Sequence, residues 1–542
     1  MKQVLKECGH VSSDFGADSV HDLRVTLRRC RSMADGLRAL DPDPEWKAMK
    51  KAGRQLFQRL GALRDLQVMM EWIEELEPTA AGAEDTGVQQ GSAKQAGADR
   101  ARVERENEWA LLPVSSAPQA DTKVNDDPRP AAQPGPWQDP VAGALYKILA
   151  EREKEHRREA RSALQEFDYK QWKQWADTLP QRAAHIRPGS PLFKHLALER
   201  WTEAHALHVR ALRNRSQVAL HTLRIAIKRF RYIVENFLPV EHQAWSKGLK
   251  EIQDSLGEIH DLDVLWATAL SCRVFPDAAS RNRWHARILT ERNKRIARYR
   301  EKMVGPNSLW QVWRAGLPQG KQIQALATRR MKLWAYALDP DFAHSERVAK
   351  LSLELYDGLT RAGFFASGVT NPSNSSARSS LLIAALLHDV GKSKGNKGHH
   401  KASLDLIKSH EAPLGYNNED MRRAAIVARF HCGALPIRSH KALRDLFPDE
   451  QQLTIQLAAV LRLANALDAE HDGHIRRVLV EKEKANGIGR IRPGCVVLDA
   501  EGYSARNHTA RKVAAERHLL ETVLRRPVMI KAMKNQAARI GP

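Results

Sequence analysis

Along most of this chain, apolar residues recur at the three-to-four-residue spacing of an amphipathic helix, and two segments repeat one arrangement in which basic residues take the opposite side. His21-Asp22-Leu23-Arg24-Val25-Thr26-Leu27-Arg28-Arg29-Cys30-Arg31 returns as His221-Thr222-Leu223-Arg224-Ile225-Ala226-Ile227-Lys228-Arg229-Phe230-Arg231. At about 100° per residue, His21, Arg24, Arg28 and Arg31 fall on one stripe, as do His221, Arg224, Lys228 and Arg231, while Leu23, Leu27, Leu223 and Ile227 form the apolar sides. The pattern predicts two core-packed helices, each carrying a row of cations.

A second anchor follows each copy. Leu60-Gly61-Ala62-Leu63-Arg64-Asp65-Leu66-Gln67-Val68 matches Leu256-Gly257-Glu258-Ile259-His260-Asp261-Leu262-Asp263-Val264. The histidine anchors are offset by 221 − 21 = 200 and the Leu-Gly anchors by 256 − 60 = 196, so the copies differ by a short loop. The second offset lays Lys51 on Lys247 and Arg54 on Lys250, with Lys47 and Lys50 widening the first basic pair. A single charge run usually marks a solvated helix face. Repetition of stripe, spacing and anchor together points to a binding surface.

Residues 1 to about 305 resemble a CHAD domain, the conserved-histidine α-helical domain, carrying both of its signatures twice. The resemblance implies a pseudo-symmetric pair of helical bundles whose basic helices line a cavity for inorganic polyphosphate. It casts the stripe residues and Lys47, Lys50, Lys51, Arg54, Lys247 and Lys250 as polyphosphate contacts, with His21 and His221 as hydrogen-bonding groups. The chemistry fits, because a linear polyanion needs a dense array of donors: Arg offers forked contacts to phosphate oxygens and Lys offers point charges.

The repeat halves are read as about 1–75 and 138–305, separated at 76–137 by a disordered insertion whose Ala, Gly, Gln, Asp and Pro composition cannot offset its ordering entropy by burial. Residues 306–325 read as a linker and 326–542 as a second helical domain with a C-terminal extension. Within it, Thr370 to Ser380 reads as a loop, Val496-Val497 as part of a small β element, and about Ala514 to Leu524 as a closing helix. The fold class expected is mainly α.

In the second domain, Leu381 to Leu387 is an apolar run ending in His388-Asp389, then Val390-Gly391-Lys392. A buried helix that delivers an adjacent imidazole and carboxylate needs a partner for both, and a divalent metal satisfies them at once. His344 and Asp468 lie on apolar helical segments before and after it. The order His, His-Asp, Asp resembles the HD phosphohydrolase superfamily. That resemblance implies His344, His388, Asp389 and Asp468 as metal ligands, one or two ions of Mn, Mg or Fe, and hydrolysis of phosphate esters or anhydrides, with His388, Asp389 and Lys392 at the chemistry. Its dinuclear members add two histidines in the interval filled here by Gly398-His399-His400-Lys401 and Arg429-Phe430-His431-Cys432, which implies His399 and His431, with His400 the alternative to His399. The surrounding residues look most like the HD-type domain of exopolyphosphatase and guanosine pentaphosphate phosphatase proteins, in many of which the HD motif is eroded; here the doublet is intact.

The formal net charge of +22 over 542 residues implies a polyanionic partner. Inorganic polyphosphate is the expected one, guanine nucleotide is the other phosphate-bearing candidate, and nucleic acid stays open although no zinc-knuckle or aromatic RNA-binding pattern is present. The five scattered cysteines form no C-x-x-C pair and suit a reducing cytoplasm. No apolar run approaches the roughly 18 to 20 residues that span a bilayer. The expectation is a cytoplasmic, polyphosphate-binding phosphohydrolase associated with polyphosphate granules; the alternative is a non-catalytic granule-binding protein with a vestigial or regulatory HD domain.

Overall fold

The computed structural model describes residues 1–13, 15–77, 137–214, 216–365, 372–481 and 494–533. The expected insertion at 76–137 lies almost wholly outside these residues. The chain divides into two compact units, Met1–Leu37 with Pro44–Leu317, and Arg38–Asp43 with Pro318–Pro542. Among the described residues the architecture is mainly α: seventeen helices and one three-stranded sheet.

The first unit holds α1 (Lys2–Ser13), α2 (Ala17–Leu37), α3 (Glu45–Leu76), α4 (Pro140–Gln165), α5 (Tyr169–Ala183), α6 (Pro191–Asn214), α7 (Gln217–Phe237), α8 (Pro239–Ser271), α9 (Ala278–Met303) and α10 (Leu309–Ala315). The two repeated basic segments are α2 and α7, and the two Leu-Gly anchors lie within the long helices α3 and α8. Leu23, Leu27, Leu223 and Ile227 are fully buried, so the apolar side of each basic helix faces the core. Positions equivalent under the repeat share one cluster: Leu66 with Leu262 and Met69 with Leu265, capped by Trp72, Trp266 and Trp284. Helix α2 meets α7 closely at Gly36, where a Cβ would come within 2.7 Å of the Phe237 ring. Arg29 and Glu235, 2.8 Å apart, tie the same two helices. Arginines of α4 and α9 are used structurally. Arg157 pairs with Glu153, Arg292 with Asp263, and Arg295 bonds Glu258 while lying over the Trp72 ring.

The second unit holds α11 (Lys321–Tyr336), α12 (Phe342–Arg361), α13 (Pro372–Leu387), α14 (His399–Ser409), α15 (Asn418–Arg429), α16 (Pro448–Leu467) and α17 (His508–Leu524), with strands β1 (Arg477–Val480), β2 (Val496–Glu501) and β3 (Val528–Ala532). Its core packs the apolar run of α13 against α12, α15 and α16, through residues such as Leu355, Ile383, Leu386, Val427 and Leu461. Of the loop expected at Thr370–Ser380, residues 370 and 371 lie outside the described residues and 372–380 are instead the start of α13. Ser376 and Ser380 suit a helix here because they face polar partners: Arg423 of α15 donates to the hydroxyls of Ser376 (3.0 Å) and Ser380 (3.1 Å), and Ser376 also bonds Asp420. The β element at Val496-Val497 is the middle strand of a sheet in which β1 pairs with it antiparallel and β3 parallel. The last helix starts earlier than expected, at His508, where the Asn507 side chain caps it by accepting from the Ala510 amide at 3.0 Å. Strand β3 follows that helix.

Candidate functional site: a cationic stripe and a histidine-aspartate centre

In the first unit the two stripes converge. Arg24 Nη2 lies 3.2 Å from Asp65 Oδ1, so the acidic residue of the first Leu-Gly anchor answers the first basic helix. Arg24 also feels Arg28 and Arg224, and with burial as the leading cause its affinity for protons falls. Lys228 is pushed down to about 7 by burial and then by Arg224, Arg28 and Arg24, which places four cations of α2 and α7 in one field. Asp261 is pushed up to about 6 by burial, against the pull of Arg224. His221 Nδ1 lies 3.2 Å from His260 Nδ1, and His260 is driven down to about 3 by burial, Arg224 and His221. Buried Nε atoms of Arg24, Arg31 and Arg224 make no hydrogen bond. Like charges this close, only partly offset by Asp65 and Asp261 and with donors left open, suit an anion.

Outside this centre the predicted contacts are more dispersed. Arg31 lies over the Phe57 ring at 4.5 Å and Lys50 pairs with Asp35. His21, Lys47, Lys51, Arg54, Lys247 and Lys250 are exposed, and Arg231 is 3.7 Å from Glu235. Asp65, Asp261, His260 and Phe57 were not singled out from the sequence. The first three belong to the repeated anchor itself, so that signal was present, whereas only packing shows Phe57.

In the second unit the predicted ligands arrive from the ends of five helices, Asp468 directly following α16. The Asp341 side chain caps α12 by accepting from the His344 amide at 3.3 Å, setting His344 in the first turn. His388 and Asp389 follow the last residue of α13, His399 opens α14, and His431 lies just past the end of α15. His344, His388 and Asp389 bring ligand atoms within 4.8 Å of one another, and so do His399, His431 and Cys432. Asp389 joins the groups: its Oδ1 is 3.3 Å from His399 Nε2 and 3.6 Å from His431 Nε2, and its Oδ2 is 2.6 Å from Lys392 Nζ. Asp468 is placed differently. Its Oδ2 accepts from His344 Nδ1 (2.7 Å) and Arg347 Nε (2.9 Å), and its Oδ1 accepts from the Gly473 amide (3.1 Å).

Three imidazoles share one device. Nδ1 of His388, His399 and His431 lies 2.8, 2.8 and 2.7 Å from the carbonyl three residues earlier, of Ala385, Asn396 and Ala428. A carbonyl only accepts, so each Nδ1 carries a proton and each Nε2 is turned inward, bearing the lone pair whenever its ring is neutral. His388 Nε2 and Asp389 Oδ1 are buried without a hydrogen bond of good geometry, and Nε2 of His399 faces Nε2 of His431 at 3.0 Å. Burial drives His388 down and His431 well down. His399 goes the other way, to about 10, through its bonds to Asp389 and Cys432. Burial would raise Asp389, but His388, His399, His431 and Lys392 hold its carboxyl well below the usual range. Inward lone pairs beside an ionised carboxylate call for a cation, either a proton or a metal ion.

Residues 1–270 match the family described as CHAD domain, and residues 329–491 match Ppx/GppA phosphatase, domain III. The chain joins a CHAD domain to a Ppx/GppA phosphatase domain III. No curated protein matches it significantly. Together the two domains point to a polyphosphate-related function, and the domain III match spans all six candidate ligands from His344 to Asp468. Among the described residues no helix is long and apolar enough to cross a membrane.

Two features of domain III that hold its centre were not singled out from the sequence. Ser403 of α14 donates to the His388 carbonyl (2.6 Å) and accepts from the Gly391 amide (2.9 Å), fastening the turn that carries the doublet. Gly391 allows this approach, since a Cβ there would lie 2.1 Å from the His399 carbonyl oxygen. Arg462, almost fully buried in α16, donates to the carbonyls of Phe430 (3.0 Å) and Gly433 (3.2 Å) and fixes the backbone on both sides of His431. Neither role leaves a periodic or spacing signal.

Proposed function

We propose that this protein captures inorganic polyphosphate on its CHAD stripe and hydrolyses a phosphoanhydride, of polyphosphate or a guanine nucleotide, at a divalent-metal centre in domain III. The observation that carries the reading is the set of inward-turned Nε2 atoms converging on the buried Asp389 carboxylate, with Asp389 Oδ1 and His388 Nε2 making no hydrogen bond of good geometry. His344, His388 and Asp389 would hold one ion, and Asp389, His399 and His431 a second. A bound divalent ion supplies a water of lowered pKa and polarises a phosphoryl oxygen. The chain supplies the rest. The carbonyls of Ala385, Asn396 and Ala428 fix the ring tautomers, Asp468 orients His344, and Lys392 adds positive charge next to Asp389, where an anionic substrate needs it.

One observation favours the alternative, a non-catalytic granule-binding protein: the Asp468 carboxylate is engaged by His344, Arg347 and Gly473. The two readings part at Asp389. The wild type is expected to purify with divalent metal and to release phosphate from polyphosphate or guanosine tetraphosphate with Mn supplied. Asp389→Ala is expected to lose both while still binding polyphosphate. A wild type that binds no metal and releases no phosphate leaves the binding-protein reading.

A further inference from the structure

Cys432 has no part in the ligand set expected from the sequence, yet its Sγ lies 3.8 Å from His399 Nε2 and 3.6 Å from His400 Nδ1. Together with His399 and His431 it forms a trio whose ligand atoms are all within 4.8 Å of one another. Tetrahedral zinc, with Zn–N near 2.0–2.1 Å and Zn–S near 2.3 Å, separates two nitrogens by about 3.3 Å and a nitrogen from a sulfur by about 3.6 Å. The observed separations of 3.0 Å between the two Nε2 atoms and 3.8 Å from Sγ to His399 Nε2 lie within about 0.3 Å of those two edges.

A second, independent feature aims at the same place. Asp389 is 3% exposed, and its unpartnered Oδ1 lies 3.3 and 3.6 Å from those same two nitrogens. The backbone here is held rather than loose, because Arg462 grips the carbonyls of Phe430 and Gly433 on either side of His431 and Cys432.

We propose that Cys432 is a ligand of the second metal position, forming with His399 and His431 a mixed nitrogen and sulfur site that prefers zinc or iron(II) to magnesium. The proposal rests on the metal-centre reading above and narrows it. A thiolate is a soft donor that hard magnesium binds poorly, whereas zinc and iron(II) accept it alongside imidazole. Metal binding displaces the thiol proton. His400 Nδ1, 3.6 Å from Sγ, is the other imidazole nitrogen beside the thiol.

The test uses the full-length chain stripped of metal and titrated with cobalt(II), whose bond to a thiolate gives a near-ultraviolet charge-transfer band. The wild type is expected to show the band. Cys432→Ser is expected to lose it and to bind the second cobalt at least ~10-fold more weakly, a loss no smaller than removal of an outer-shell partner causes. Cys432→Ala is a second variant with the same expectation, and His344→Ala should retain the band. Cobalt bound without the band in the wild type, or a band that survives in both Cys432 variants, overturns the thiolate ligand alone. A wild type that takes up no cobalt overturns the metal centre itself.

Discussion

At the scale of single residues, His399 sets the pH response of the metal-free centre. Its folded pKa of about 10 stands above the ordinary value of 6.5. The stabilisation it draws from Asp389 and Cys432 is therefore complete below about pH 6.5 and is lost as pH rises through about 10. Asp389, depressed in the fold, contributes above the ordinary carboxylate value of 3.8 and loses that share on acidification. Urea unfolding of the metal-stripped chain checks this against His399→Gln. The midpoint difference should be largest near pH 6 and shrink toward pH 10, and a difference that grows with pH contradicts the pairing. Much of this centre was legible as residue types: the His388-Asp389 doublet after an apolar run, and the histidines that follow, come together as the motif order implied. Cys432 was not legible, because a lone thiol next to a histidine has no distinguishing spacing. The engagement of Asp468 with Arg347 was hidden too, since it depends on how α12 meets the turn after α16.

At the scale of elements, the repeated helices α2 and α7 form the stripe as a pair, and neither helix has the complete field alone. Arg28 and Lys228 are placed symmetrically in the two copies, and each charge-assisted contact to phosphate contributes about 1–2 kcal/mol. Changing both to Ala should weaken polyphosphate binding by roughly tens of fold or more with helicity retained by circular dichroism. The wild-type affinity should also fall linearly in log–log terms with added salt. Unchanged affinity in the double variant would remove these helices from the binding surface. The elements were legible here because the 3.6-residue period and the repeat reinforced one another. They failed to be legible at 372–380, where serines suggest a loop on composition and the facing Arg423 and Asp420 make Ser376 and Ser380 compatible with a helix. Strands β1 and β3 were missed for a related reason, since each is four or five residues long and gains its partner only through β2.

At the scale of the whole molecule, stripe and centre are built from separate sets of helices around separate cores. A ligand stabilises the state it binds, by about 2.7 kcal/mol at a hundredfold excess over its Kd. Chelation should therefore lower the unfolding temperature of the transition reported by domain III and leave polyphosphate affinity unchanged. Polyphosphate should raise the other transition. Calorimetry with each ligand in turn reads this directly, and a common shift of both transitions would show that the two cores unfold as one.

The carboxylates of Asp65 and Asp261 sit inside the cationic field as resident counter-ions, Asp65 directly on Arg24 and Asp261 under the pull of Arg224. A single orthophosphate arriving there exchanges one ion pair for another and gains little. A polymer gains a contact at every unit along the stripe while displacing the same two carboxylates, and Asp261, already raised to about 6, sheds its charge by taking a proton as more negative charge arrives. If the stripe takes polyphosphate as proposed, these two resident acids make it a valency filter, favouring long chains over single phosphates.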